Sequence, residues 1–359
     1  MERGSAERIS ETDPTMYGRL ILLIILVTFL VAGVIGYQMT RWADAPVATD
    51  PRQALPKIVT IPEGATFQQV AAQLERERLI KSRSRFVLLG RSHSADRRII
   101  SGEYELNPGM KPQEILDKLV AGQVVLHPIT VPEGYSIAQI AEVLDIDKLV
   151  DAREFRRLCT DREFIRSLEI DAASLEGYLF PDTYHVARGT KAKDLIHAMV
   201  SKLWQVFTPA WRLRAADMRM TTHQVLTLAS VIEKETSVGE ERELISAVFH
   251  NRLRRKIPLQ SDPTVIYGLE QFDGNLRKRD LSDHSPYNTY RVRGLPPGPI
   301  ASPGAQSIRA ALYPANAAYL YFVSRNDGTH HFSSTLDEHN HAVEKFQKRP
   351  FRRMAGARL

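Results

Sequence analysis

The sequence predicts an α+β protein carried on a single transmembrane helix, with a small mixed module followed by a mainly helical domain that has some strands. Three observations predict it. An uncharged apolar run stands near the N-terminus, a Pro-Glu-Gly motif recurs with its flanking patterns, and longer helical periodicities take over in the second half.

At 359 residues the chain has room for two domains. Its composition, 43% hydrophobic and 25% charged, is that of a globular protein and excludes a wholly disordered chain. A net charge of +6 suits an anionic polymer or a lipid surface without selecting one. Nucleic acid has only that charge and the basic tail KRPFRRMAGAR in its favour, and no such partner is expected. Cys159 is the single cysteine, which rules out an internal disulfide and a cysteine-based zinc cluster.

The run from Leu20 to Gly36, LILLIILVTFLVAGVIG, carries no charge and can cross most of a bilayer. Tyr17, Tyr37 and Trp42 stand near its ends as interfacial anchors, and we assign the span to residues 20–38. A cleaved signal peptide is the alternative, but the run is longer than the usual ~7–15 apolar residues and no clear small-x-small site follows it. Arg3, Arg8 and Arg19 on one side balance Arg41, Arg52 and Lys57 on the other, so positive charge does not orient the helix. Residues 1–19 form a short polar tail, which places the function on the C-terminal side. Residues 39–56 read as a proline-containing tether.

The folded region opens with a repeat. IVTIPEGATFQQVAAQLERERLI at 58–80 recurs as PITVPEGYSIAQIAEVLDIDKLV at 128–150. Thr60, Pro62, Glu63, Gly64, Gln69, Ala71, Leu74 and Leu79 are matched by Thr130, Pro132, Glu133, Gly134, Gln139, Ala141, Leu144 and Leu149. Each copy reads as a β-rich run, a turn, an N-cap at Thr66 or Ser136, and an amphipathic helix. Two copies are too few for a solenoid. Between them, residues 99–106 read as a strand pair around Gly102, and 112–121 as a helix with Pro112 at its start and Gly122 at its end. These elements make a module over 57–152.

From 153 to 346 longer helices prevail, ahead of a basic tail at 347–359. Thr221 and Gln224 form a capping box before an apolar run in which Val225, Leu228, Ala229 and Ile232 share a face. Ser237 with Glu240 reads as the same device for the next helix, and Asp262-Pro263 as the N-cap and first turn of a short helix ending near Gly268.

The helix from Thr221 ends in Ile232-Glu233-Lys234-Glu235-Thr236. A carboxylate there meets the negative end of the helix dipole and lies beside apolar residues, and both effects hold its proton on, as a general acid requires. The helical wheel barely separates Glu235 from Glu233, and a solvated helix end is the plain alternative. Downstream, 257–268 and 285–304 gather Gln260, Ser261, Asp262, Tyr267, Tyr287, Asn288 and Tyr290 in loop-forming sequence. Amides, hydroxyls and aromatic rings on loops suit carbohydrate, although the same residues also build ordinary turns. His330, His331, His339 and His341 near Asp337 and Glu338 raise a metal-dependent hydrolase, but their spacing fits no zinc motif.

The run LASVIEKETSVGEERELISAVFHNRLRRKIPLQSDPTVIYGL, followed by SPYNTYRVRGLPPGPIASPG and YLYFVSRNDGTHHFSSTLDEHN, resembles the YceG-like family of endolytic murein transglycosylases. EGYLFPDTYHV at 176–186 fits an upstream motif of that family, and the likeness covers most of 55–345. The resemblance implies a LysM-like character for the 57–152 module and a lytic transglycosylase domain over 153–346. It implies cleavage of the β-1,4 bond between N-acetylmuramic acid and N-acetylglucosamine with a 1,6-anhydro end. Glu235, the second glutamate of Glu-Lys-Glu, corresponds to the catalytic acid and base, and no cofactor or metal is required. Gln260, Ser261, Asp262, Tyr287, Asn288 and Tyr290 are the candidate substrate-binding residues. The expected partners are peptidoglycan strands, the membrane and peptidoglycan polymerases. The expected location is the inner membrane, with the N-terminus cytoplasmic and the catalytic domain outside. A non-enzymatic, membrane-anchored glycan-binding scaffold is the remaining alternative.

Overall fold

The apolar run lies inside one helix, α1 (Pro14–Ala43). Of it, the 26 residues Gly18–Ala43 rise about 39 Å at ~1.5 Å each, more than the ~30 Å of bilayer hydrocarbon. By length and composition it can cross a membrane, and none of its most apolar stretch is buried in protein. This computed structural model describes residues 14–50, 52 and 54–348, so Arg3, Arg8 and the end of the basic tail lie outside the described residues, as does the side chain of Tyr17. The chain forms two compact units, divided between Val125 and Leu126.

In the first unit, β1 (Lys57–Ile61), α2 (Phe67–Arg76), α3 (Arg83–Ser92), β2 (Gly102–Leu106) and α4 (Pro112–Ala121) follow α1. β1 and β2 pair antiparallel from Lys57 opposite Leu106 to Ile61 opposite Gly102. The expected strand pair around Gly102 is therefore one strand whose partner is β1. Alternation along β1 turns Val59 and Ile61 inward onto Leu74, Phe86, Tyr104 and Leu119. Trp42, expected at the membrane interface, is buried in this core at 5% exposure with Met39 and Ala43 beside it. Ala48 N–H bonds Pro108 O at 2.8 Å, and Lys111 pairs with Asp44 at 3.1 Å. Much of the expected tether is thus laid onto the unit it leads into.

The second unit contains β3 (His127–Thr130), α5 (Ile137–Asp147), α6 (Ala152–Leu158), α7 (Arg162–Ser167), β4 (Thr183–Val186), α8 (Ala192–Val206) and α9 (Pro209–Asp217). It continues with α10 (Thr222–Glu235), α11 (Arg242–Arg254), α12 (Asp262–Gly268), α13 (Ala305–Leu312), β5 (Tyr321–Ser324), β6 (His330–Ser333) and α14 (Leu336–Val343). β3 pairs with β4, and β5 with β6, both antiparallel. The repeat is real as local structure, since Thr66 with Gln69 and Ser136 with Gln139 both form complete capping boxes. Its two copies nevertheless fall in different units, the second pairing its strand with the 183–186 segment, so the division comes before the second copy and not after residue 152.

α10 is the central helix of this unit. Every residue from Val225 to Ile232 is buried, because α9, α11, α12 and α13 surround it. Burying each large aliphatic side chain stabilises by roughly 1.5–3 kcal/mol, which fixes the helix and therefore its last residue, Glu235. The capping box at Thr221 and Gln224 sets its start, as the sequence implies. The one expected at Ser237 and Glu240 does not form. Thr236 Oγ1 accepts the Val238 N–H at 3.0 Å, the chain makes a 3₁₀ turn over Gly239–Glu241, and α11 begins at Arg242.

Candidate active site

The two glutamates at the end of α10, close on the helical wheel, have separate environments in the fold. Glu233 accepts the Gly304 N–H at 3.0 Å and pairs with Arg242 at 3.4 Å, and Arg242 is held in turn by Gln306 and Ser307. Its carboxylate is occupied in joining α10, α11 and the start of α13. Among the described residues no cation forms an ion pair with Glu235; Ser261 donates its hydroxyl to Glu235 Oε1 at 2.5 Å, at the short end of the range for a charge-assisted bond. The residue as a whole is half-buried, but its carboxyl group is enclosed by protein. Burial pushes that group up to about 7, the charge of Asp262 adds to the effect, and the Ser261 hydroxyl and the nearby Arg252 cation oppose it. Glu235 therefore keeps its proton near neutrality, yet can give it up.

Ser261, not Asp262, occupies the N-cap position of α12, and it makes no capping bond because its hydroxyl points to Glu235. Two buried threonines fix it in place. Ser261 N–H donates to Thr289 Oγ1 at 3.0 Å, Thr264 Oγ1 donates to Ser261 O at 2.6 Å, and the two threonine hydroxyls bond each other at 2.8 Å. Asp262 lies in the first turn, exposed, and accepts from the Tyr290 hydroxyl at 2.6 Å. Gln260 takes a left-handed backbone, φ +52, and its Oε1 accepts from Arg252 at 3.0 Å. Tyr287 packs against Tyr267 with ring centroids 4.8 Å apart. Asn288 is wholly buried, its amide donating to Leu281 O and Asp283 O and its Oδ1 accepting Tyr290 N–H, so it shapes the loop from within.

Removal of the Ser261 hydroxyl isolates its effect. In Ser261→Ala the bond that favours ionised Glu235 is gone, so the alkaline fall in activity should move to higher pH by about one to two units, given ~1.5–3 kcal/mol for a bond to a charged group. A pH–rate profile of the variant checks this.

Two residues at the site are not among the expected ones. Arg252 is buried on α11 and donates to Leu320 O, Pro258 O, Leu259 O and Gln260 Oε1, while its guanidinium stacks over Tyr321 at 5.1 Å. The signal is its phase, seven residues past Ile245 and three past Phe249, on the apolar face of a helix whose neighbouring Arg254 and Arg255 are exposed. Glu176 is 4% exposed and accepts from Ile137 N–H at 3.1 Å and from the Tyr267 hydroxyl at 3.1 Å. Its signal is a lone carboxylate in the apolar run Leu175–Phe180.

The second Pro-Glu-Gly turn borders the same helix end. Gly134 N–H bonds Ser302 O at 2.8 Å, Ser302 N–H returns to Tyr135 O at 2.8 Å, and Lys234 Nζ reaches Gly134 O at 3.2 Å. With φ at +77, Gly134 suits this turn as few other residues would. His330 bonds Glu241 through both its ring and its backbone, His339 stacks on Tyr321, and among the described residues no group of metal-ligating side chains converges. A cavity of about 960 Å³ between α6, the end of α5 and the start of α8 contains none of the candidate residues, so the chemistry of Glu235 and not the size of a hollow locates the site.

An enclosed carboxyl that holds its proton near neutral pH, fixed at the end of a buried helix and bonded by a serine hydroxyl beside loops rich in hydroxyl and aromatic groups, fits a class of α+β enzymes that work by acid/base exchange at one group. Comparison with known proteins narrows the class. Residues 59–345 match the YceG-like family, and the chain belongs to it. It is 35% identical over 304 residues to the endolytic murein transglycosylase of Bacillus subtilis, covering 80% of this chain and 84% of that protein. It is 29% identical over 353 residues to the endolytic murein transglycosylase of Streptococcus pneumoniae, covering 89% of this chain and 63% of that protein. A crystal structure of a yceG-like protein from Listeria monocytogenes superposes with a TM-score of 0.56 at 34% identity, over 80% of this chain and 98% of that one.

Proposed function

We propose that this chain is an endolytic murein transglycosylase, a lyase that cuts the β-1,4 bond between N-acetylmuramic acid and N-acetylglucosamine within glycan strands and leaves 1,6-anhydro ends. The observation that carries the reading is Glu235, a carboxylic acid that burial keeps protonated up to about pH 7. In the first half-reaction Glu235 gives its proton to the glycosidic oxygen as the C–O bond breaks and positive charge grows at the sugar C1. In the second, the ionised Glu235 takes the proton of the sugar's own C6 hydroxyl while that oxygen bonds C1. The proton lost is regained, and no water is consumed. One carboxyl suffices, whereas the two-carboxylate glycosidases need a second to activate water or attack the sugar.

Gln260, Asp262, Tyr287 and Tyr290 bind the strand, and Ser261 steadies Glu235. Support comes from their placement in the first turn of α12 and on the loops beside it, with Asp262 and Gln260 exposed and both tyrosines half-buried. α1 anchors the chain in the inner membrane with the N-terminus in the cytoplasm and both units outside, where the substrate lies. Because the first unit packs directly on the end of α1, the enzyme works close to the membrane on nascent strands, and peptidoglycan polymerases are its natural partners. The test is mass spectrometry of glycan digested by the detergent-solubilised full chain. Anhydro ends on internal fragments are expected, and ordinary reducing ends would replace this reading with a hydrolase.

A further inference from the structure

EGYLFPDTYHV is a long motif, yet no step of the reaction uses any of its residues. At its head, Glu176 sits 4% exposed in a pocket of hydrogen-bond donors. Ile137 N–H, at the open N-terminal turn of α5, reaches Oε1 at 3.1 Å and Oε2 at 3.3 Å. The Tyr267 hydroxyl donates to Oε2 at 3.1 Å. The backbone at Gly177 donates as well, and Gly177, with φ at +79, is packed so closely on Pro299 that a Cβ would collide with it. Glycine at 177 thus lets the motif pack directly on Pro299. The donors come from three parts of the second unit: the capped helix of the repeat, the motif itself and α12. α12 begins directly after Ser261, whose hydroxyl holds Glu235.

We propose that Glu176 is a positioning residue for glycan cleavage: through Tyr267 its carboxylate fixes α12, and so Ser261, against Glu235. The inference rests on the function proposed above. Tyr267 also carries the ring that packs on Tyr287, so the same clamp sets the aromatic side of the site. Among the described residues the titratable side chains that feel the charge of Glu176 are Cys159 at the end of α6, Tyr267 and Tyr287, and none of the three carries positive charge. Burial alone therefore pushes Glu176 up, to about 7, against the bonds from Ile137, Tyr267 and Gly177 that favour its ionised form. The Ile137 and Gly177 N–H groups can only donate, and the Tyr267 hydroxyl donates in this arrangement, so the ionised carboxylate, which accepts from all three at once, is the form the clamp needs.

A bell-shaped profile follows. Glu235 must be protonated to begin the reaction, which gives an alkaline fall, while Glu176 must be ionised, which gives an acid fall. The experiment follows product release from glycan strands by the solubilised full chain between pH 5 and 9, with thermal melting measured alongside. Glu176→Gln should lower kcat by about tenfold or more with KM little changed, and should abolish the acid fall. Tyr267→Phe keeps the ring but removes a donor that favours ionised Glu176, so its acid fall should move to higher pH. The double variant should lose no more rate than the worse single one. Retention of the acid fall in Glu176→Gln, or an effect on melting alone, overturns the proposal. Should Glu176→Gln fail to fold, the acid limb of Tyr267→Phe decides. A failure of the underlying function is seen separately, as a wild type that yields no anhydro ends or a Glu235→Gln variant that remains active.

Discussion

Glu235→Gln is expected to lower the rate of glycan cleavage by about a hundred- to ten-thousand-fold, the range for loss of a positioned acid and base, with the fold intact. The amide matches the carboxyl in shape and can still accept from Ser261, but it can neither deliver a proton to a leaving oxygen nor take one back. The same substitution should make the protein more stable in alkali. In the unfolded chain the Glu235 carboxyl ionises in the ordinary range near 4.5, whereas in the fold it holds its proton to about 7. Between those values the unfolded state binds fewer protons, so stability falls as pH rises, and the full penalty is present above about 7. Glutamine carries no such penalty. Melting curves of wild type and Glu235→Gln should coincide near pH 4 and separate above pH 7, with the inactive variant the more stable. Glu233→Gln is the contrast, because losing the charge that pairs with Arg242 destabilises α10 against α11 without removing the acid. Were the two variants to exchange these behaviours, the roles of the two glutamates would be reversed.

Much of this was legible from residue patterns, and the failures have specific physical causes. The N-caps at Thr66 and Ser136 and the capping box at Thr221 form as expected because they are local, with donor and acceptor within three residues. The short helix with Pro263 in its first turn and the left-handed Gly122 at the end of α4 are local too. The partner of β2 and the division of the repeat between two units depend on pairings 40 residues or more apart, which periodicity does not record. Trp42 shows the same limit. An indole beside an apolar run suits a membrane interface and a protein core equally, and only the positions of α3 and α4 decide for the core. At the site, the position of Glu235 at the end of an apolar helix indicated its raised proton affinity. Its distinction from Glu233 did not show, because that depends on Arg242 and Gly304, the latter 71 residues away. Asn288 looked like a ligand contact for the same reason that it is a loop fastener, since an amide that satisfies several backbone groups also suits a sugar.

Arg252→Met is expected to be the second most damaging change, and to act by two separable routes. The guanidinium donates to three backbone carbonyls and to Gln260 Oε1, which ties α11 to the 258–260 segment leading into Ser261 and to Leu320 at the edge of β5. Methionine fills much of the volume but leaves those acceptors unpaired in a buried setting, a loss of about 3–5 kcal/mol and a drop in Tm of several degrees. The second route is electrostatic. The Arg252 cation opposes the upward push on Glu235, so without it the carboxyl should hold its proton to higher pH and the alkaline fall in activity should shift the same way. Arg252→Lys separates the two. Lysine keeps a positive charge near Glu235 but cannot reproduce a planar fork to several carbonyls, so its alkaline limb should stay near the wild-type position while kcat and Tm both fall. If Arg252→Lys restored full activity, the fork would be dispensable and charge alone would account for the arginine. If Arg252→Met left the alkaline limb unmoved, Arg252 would act on Glu235 only by shaping the segment that carries Ser261.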